Sequence, residues 1–149
     1  MEVCSRRIIG WSMQPTLACQ LVLAALDMAL QQRQPGALVT HHSDRGSQYA
    51  SGDNQAYVAA AGIRCSMSRK GDCYDNAPVE RFFTQRVPAL KTELVYQHEY
   101  STRAAARSAI FEYLEVFYNR QRRHSALGYL SPAVYEAHYQ AEQHLTQVA

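Results

Sequence analysis

The sequence predicts an α/β fold with at least some parallel strand pairing, and three observations predict it. Strand-like and helix-like stretches alternate along the first half of the chain, in the order strand–helix–strand–helix–strand–helix. Hydrophobic residues make up 47% of the 149 residues and charged residues 19%, a balance that excludes disorder and favours a globule. No repeat, low-complexity tract or Gly/Ser linker divides the chain, and a globule of this length buries about 70% of its unfolded surface, so a single domain with its own core is expected.

Each element has a local cause. Arg7–Met13 (RIIGWSM) is rich in β-branched and aromatic residues and reads as a strand. It starts almost at the first residue, so leading strands are expected to be missing. Pro15 ends it and Thr16 can cap a helix over Leu17–Arg33, which is apolar nearly all round and should be buried on more than one face. Pro35-Gly36 stops that helix, and Ala37–His42 reads as a second strand. A polar loop, Ser43–Gly52, leads to a short helix over Asp53–Ala61 that Gly62 closes, and Ile63–Met67 is a third strand. Ser68–Asn76 is a loop by composition, after which Asp75 or Asn76 caps a helix that tolerates Pro78 in its first turn. A further helix over Thr102–Asn119 sets Ile110, Leu114 and Phe117 on one stripe. Ser131-Pro132 opens a last helix through Tyr139. The domain is therefore drawn as 1–139, with 140–149 as a tail.

Composition excludes some classes of protein. The longest apolar stretch, Leu21–Leu30, is cut by Asp27 and is too short for a membrane span of roughly 20 residues. No basic segment precedes an apolar one, so secretion is not expected and a cytoplasmic location is. Cys4, Cys19, Cys65 and Cys73 are scattered without a paired motif and read as reduced thiols. All 15 Lys and Arg lie at or before Arg123, against 11 acids there, so residues 1–123 carry +4 and the remainder −2. Such a body permits a polyanionic partner without demanding one.

Two carboxylates stand out. Asp44 follows the second strand, where an α/β sheet presents ligands at its carboxyl edge. Glu80 falls in the first turn of a helix, where the dipole favours the ionised form. Paired hard oxygen donors suit Mg²⁺ or Mn²⁺. The plain alternative makes Asp44 a turn residue and Glu80 a helix-start acid. A zinc site from His41 or His42 with Cys65 or Cys73 has no recognised spacing behind it. Trp11, Phe82, Phe83, Phe111 and Phe117 read as core, while Tyr49 or Tyr74 can stack on bases.

Three blocks in fixed order extend this reading: HHSDRGSQYAS (41–51), IRCSMSRKGDCYDNAPVERFF (63–83) and YNRQRRHSALGYLSPAVYE (118–136), preceded by SRRIIGWSM (5–13). Together they resemble the catalytic core of bacterial insertion-sequence DDE transposases, relatives of retroviral integrases with a ribonuclease H-like fold. The resemblance implies that Asp44 and Glu80 are the second Asp and the Glu of a metal-binding triad, with the family's spacing of 35 intervening residues. It implies metal-dependent phosphodiester cleavage and strand transfer, in which two divalent ions on three carboxylates activate water or a DNA 3′-hydroxyl. DNA, as element end and as target, is the implied partner, with a second copy or a full-length transposase beside it. The triad's first Asp lies on a strand ahead of residue 5, so the resemblance implies a truncated, inactive core; Glu2 sits at the wrong strand, and Asp27 lies in an apolar helix.

Other positions depart from the family pattern. The basic residue usual seven positions after the Glu is matched by Lys91, eleven after Glu80, as if four residues were inserted around Gln85–Ala89. Both offsets fall within roughly 20° of one helical face, but Pro88 interrupts the helix, which leaves Arg81 and Arg86 as alternative phosphate contacts. Asp72 adds a negative charge where Asn is usual. Arg45, Arg69 and Lys70 flank the metal site and read equally as phosphate contacts or solvated loop charges. Arg120, Arg122 and Arg123 fit a helix end where the dipole favours cations; with Asn119 and His124 they also match a family block that implies DNA contact. Two other functions compete: a hydrolytic nuclease on the same fold, and a non-catalytic DNA-binding remnant that inhibits full-length transposase by co-assembly.

Overall fold

Helix α1 (Cys19–Arg33) begins two residues later than Leu17, with Ala18 at its N-cap and no side-chain cap, so Thr16 does not take the predicted capping role. The computed structural model describes residues 1–34, 39–69, 82 and 90–148, and the chain divides into two units: Ile9–Arg81, and Met1–Ile8 with Phe82–Ala149.

In the first unit α1 buries Val22 and Leu26, one turn apart, while Leu21, Leu23 and Leu30 are half-buried and Leu17 lies outside, 77% exposed. The helix therefore buries one stripe and its edges, not several faces. Strand β1 (Thr40–Ser43), helix α2 (Gly52–Ala60) and strand β2 (Arg64–Met67) follow as a β–α–β crossover. The strands pair in parallel with Thr40 opposite Arg64 and Ser43 opposite Met67, and among the described residues they pair with no other strand. Parallel strands need such a crossover, and α2 supplies it. Ser51 caps α2 by accepting from the Asn54 N–H at 3.3 Å, and Gly62, at φ +70°, takes the left-handed conformation that ends the turn after it. Leu26, Val58 and Ile63 form the core, with Leu30 and Tyr57 against it. Asp27 is exposed and serves α1–α2 contact: it accepts from the Tyr57 hydroxyl at 2.9 Å and from Gln31 at 2.7 Å.

The predicted strand over Arg7–Met13 is not formed. A Cβ on Gly10 would run into the Ala25 carbonyl oxygen and lie 2.9 Å from the Ala29 Cβ, so the segment lies directly on α1. In the second unit the backbone of Ile8 is satisfied by a side chain: the Asn119 Oδ1 accepts from the Ile8 N–H at 2.9 Å, and the Asn119 Nδ2 donates to the Ile8 carbonyl at 2.9 Å. One amide side chain here does what a neighbouring strand would do.

The second unit contains a short helix α3 (Leu90–Glu93), a 3₁₀ turn (Val95–Gln97), helix α4 (Arg103–Glu112), a 3₁₀ turn (Ser125–Leu127) and helix α5 (Pro132–Val148). Thr102 caps α4 through the Ala105 N–H at 3.1 Å. From Tyr113 to Tyr118 the helix widens into a π-helix, and the Asn119 N–H reaches the Leu114 carbonyl five residues back. Widening brings Tyr118 onto the face of Tyr113 and Leu114, all three buried, and turns Phe117 out to 41% exposure. The predicted Ile110–Leu114–Phe117 stripe fails for that reason. Phe111, 53% exposed, is likewise not core, whereas Phe82 is, its ring edge-on to Tyr118 at 5.0 Å. Helix α5 continues past Tyr139 because 140–148 holds good helix formers and no Gly or Pro to stop it. Arg7 anchors the N-terminal segment on α5 through Glu136 at 2.6 Å.

No helix of the described residues is long and apolar enough to cross a membrane. Cys4, Cys19 and Cys65 are free thiols; Cys73 lies outside the described residues.

Candidate metal and nucleic-acid site

Strand β1 ends at Ser43 and Asp44 follows it directly, at the carboxyl end of the parallel pair. Asp44 is exposed, and its Oδ1 accepts from the Gly46 N–H at 2.8 Å, an Asx turn that reverses the chain at once. Among the described residues its other oxygen has no hydrogen-bond partner. Next to it, the Arg45 Nε donates to the Ser68 carbonyl at 2.8 Å. Ser68 is buried; its N–H reaches the Ser43 carbonyl at 2.9 Å and its hydroxyl reaches the same oxygen at 3.4 Å.

The two histidines divide between the faces of the sheet, as strand alternation predicts. His42 is exposed, with Nδ1 at 2.9 Å from the Ser66 Oγ and Nε2 at 3.2 Å from the Ser68 Oγ. His41 is half-buried, 6.3 Å from the Tyr49 ring. Burial holds the His41 imidazole below the usual histidine range, with a smaller contribution from the neighbouring His42, so it offers no standing positive charge at neutral pH. Burial pushes the Tyr49 phenol up, and the Asp44 charge adds to this.

Glu80, Lys70, Arg81 and Arg86 lie outside the described residues, as do Asp72, Tyr74, Phe83 and the Gln85–Ala89 stretch. Arg69 is exposed directly after Ser68, and Lys91 is exposed in α3. Among the described residues no group of three or more His, Cys, Asp and Glu side chains can hold a metal ion, so His41, His42 and Cys65 make no zinc site. The donor chemistry at Asp44 fits a hard divalent cation: a carboxylate with one oxygen held in place by a backbone amide and the other open.

The basic block after the π-helix is partly spent on structure. Arg120 and Arg123 are exposed. Arg122, assigned by resemblance to DNA, forms a bidentate pair with Glu93, with Nη2 at 2.8 Å from Oε1 and Nε at 3.1 Å from both oxygens. Glu93 also accepts from the Tyr113 hydroxyl at 2.7 Å, and the Arg122 guanidinium lies 5.7 Å from the Tyr118 ring centre. Burial and the bond to Glu93 push the Tyr113 phenol far above its ordinary value. His124 packs edge-on against Tyr118 at 5.0 Å, and burial, followed by the Arg122 charge, lowers its pKa to about 4. It is neutral at physiological pH, so it brings no standing positive charge to the basic block. Asn119 is 1% exposed and faces the Ile8 backbone, not a ligand.

Ser68, Ser66 and Glu93 went unremarked in the sequence. The signal for the serines was present, since hydroxyls at 66 and 68 alternate along a stretch otherwise read as an apolar strand. Glu93 carried no local signal, because its partners lie 20 and 29 residues away.

Two integrase core domain models match the chain, one over residues 1–73 and the other over residues 61–132. A Shigella sonnei protein described as the insertion element IS600 uncharacterized 31 kDa protein is 44% identical over 138 residues, covering 93% of this chain and 49% of that protein. Transposase InsF for insertion sequence IS3A of Escherichia coli (strain K12) is 46% identical over 136 residues, covering 91% of this chain and 46% of InsF. The InsF of insertion sequence IS3 from Escherichia coli O111:H- gives the same figures. The chain thus spans about half the length of the curated relatives it matches. An integrase core implies a ribonuclease H-like fold, with which the parallel β1–α2–β2 unit agrees. With integrase core matches running from residue 1 to residue 132, and insertion-sequence proteins aligned over more than nine-tenths of its length, this chain belongs to the integrase-core family of insertion-sequence transposases.

Proposed function

We propose that this chain is part of a catalytic core that cuts element ends and joins them to target DNA. The observation that carries the reading is Asp44: an exposed carboxylate at the carboxyl end of a parallel strand pair, one oxygen held by the Gly46 amide. Asp44 and Glu80 would hold divalent Mg²⁺ or Mn²⁺, which supplies Lewis acidity and charge stabilisation to phosphodiester chemistry. The side chains around Asp44 act on the nucleic acid. Arg45 is tethered through Nε, and its terminal nitrogens have no partner among the described residues, which suits them to a phosphate. Arg69, Lys70, Arg81, Arg86 and Lys91 supply further phosphate contacts, and Arg120 and Arg123 a second basic patch. Arg122 supports that patch through Glu93.

Residues 1–139 act as core and helical extension in this reading, in the bacterial cytoplasm, with a second copy or a full-length transposase as protein partner. These residues carry two of the three carboxylates that the family resemblance requires. Strand transfer then needs the third from sequence outside them or from another chain, since each lost anionic ligand weakens the cation site. The test resolves products from end-labelled element DNA in Mg²⁺ and in Mn²⁺, with anisotropy binding across a salt series. Salt-dependent binding without joined product is expected of the chain alone, together with Mn²⁺ binding that Asp44→Asn and Glu80→Gln both reduce. Cut ends without joining would favour a hydrolytic nuclease. DNA binding without any Mn²⁺ binding would favour the non-catalytic remnant and overturn the proposal.

A further inference from the structure

Residues 42, 43 and 45, which bracket Asp44, all bond to Ser68, the residue directly after β2. Ser68, 4% exposed, receives the Arg45 Nε on its carbonyl at 2.8 Å and gives its N–H to the Ser43 carbonyl at 2.9 Å. Its hydroxyl lies 3.4 Å from that same carbonyl and 3.2 Å from the His42 Nε2. Donor and acceptor roles follow from this network. A carbonyl only accepts, so the Ser68 hydroxyl donates to Ser43; the His42 Nε2–H then donates to Ser68, and its Nδ1 accepts from the Ser66 hydroxyl at 2.9 Å. The Ser68 hydroxyl and both ring nitrogens of His42 have partners, and the turn that the clasp closes contains the Asp44–Gly46 bond at 2.8 Å.

We propose that Ser68 is a positioning residue for the Asp44 carboxylate, and that the Arg45 side chain acts on Asp44 through the Ser68 carbonyl as well as on any phosphate. An aspartate on a free loop tip would be ordered only when its ligand arrived. Here residues on both sides of it are fixed beforehand, so the carboxylate meets its ligand already placed. The inference rests on the reading of Asp44 as a metal ligand where it concerns affinity, but the placement itself is measurable without metal.

The experiment is amide hydrogen exchange of Gly46 in the metal-free 149-residue chain, followed by Mn²⁺ broadening of the same amide. Arg45→Gln removes the bond to Ser68 and is expected to speed Gly46 exchange about five-fold, while Arg45→Lys, which can still donate to that carbonyl, recovers most of the protection. Ser68→Ala, which loses only the hydroxyl, is expected to speed it by about three-fold. The Leu26 amide in α1 should not change; if Arg45→Gln alters it too, Ser68→Ala decides. In Mn²⁺, Arg45→Gln is expected to need about ten-fold more metal for equal broadening. Unchanged Gly46 exchange in both Arg45→Gln and Ser68→Ala overturns the inference. Broadening that survives Asp44→Asn overturns instead the metal reading, and leaves the positioning result standing.

Discussion

Asn119 is the residue for which family resemblance and structure make opposite predictions. It sits in the block whose likeness points to DNA, yet it is 1% exposed and holds both polar groups of the Ile8 backbone, each at 2.9 Å. Asn119→Ala leaves a buried N–H and a buried carbonyl without partners, at roughly 1–3 kcal/mol each. Taking the lower part of that range, the loss is about 3 kcal/mol, which for a chain of this size lowers Tm by roughly 6–12 °C. Asn119→Asp is expected to fail as well, because an oxygen would replace the amine that donates to the Ile8 carbonyl. Thermal unfolding by far-UV circular dichroism measures the loss, and DNA binding across a salt series supplies the contrast. A phosphate contact would lower the salt slope by about 0.9 and leave Tm unchanged. A Tm within about 2 °C of the parent, with a reduced salt slope, would refute the reasoning.

Two further outcomes follow from packing and titration. The folded-state pKa of His124, about 4, lies below the unfolded value of 6.5, so between those values the unfolded chain binds more protons. Stability is therefore complete above pH 6.5 and falls as pH drops toward 4; with the ring half-exposed to solvent this amounts to about 1 kcal/mol, and Tm measured against pH should lose that component in His124→Gln. Gly10→Ala forces a methyl group into the Ala25 carbonyl and the Ala29 side chain of α1, which costs about 1–3 kcal/mol. Urea unfolding followed by the single tryptophan, Trp11, should show a lower midpoint, and an unchanged midpoint would mean that the segment does not lie on α1 as described.

Much of this molecule was legible in the order of its residues. Helices α1 and α2, strands β1 and β2, the Gly62 stop and the place of Asp44 directly after a strand all come from patterns within a few neighbours: apolar runs, polar loops between them, and a glycine where φ must be positive. Family membership came from three ordered blocks, which required no contact to be known. The tertiary structure alone decided the rest. Whether Arg7–Met13 is a strand depends on a partner, and the partner of Ile8 is a side chain 111 residues away. Phe117 faces out because the helix widens to bury Tyr113 and Tyr118 together, and Arg122 is taken by Glu93, 29 residues earlier. Backbone preference and capping act between neighbours in the chain and so leave a local imprint. A polar partner is chosen by which groups burial brings together, and the closure entropy of a long loop grows so slowly with its length that distance along the chain leaves almost no sign of the choice.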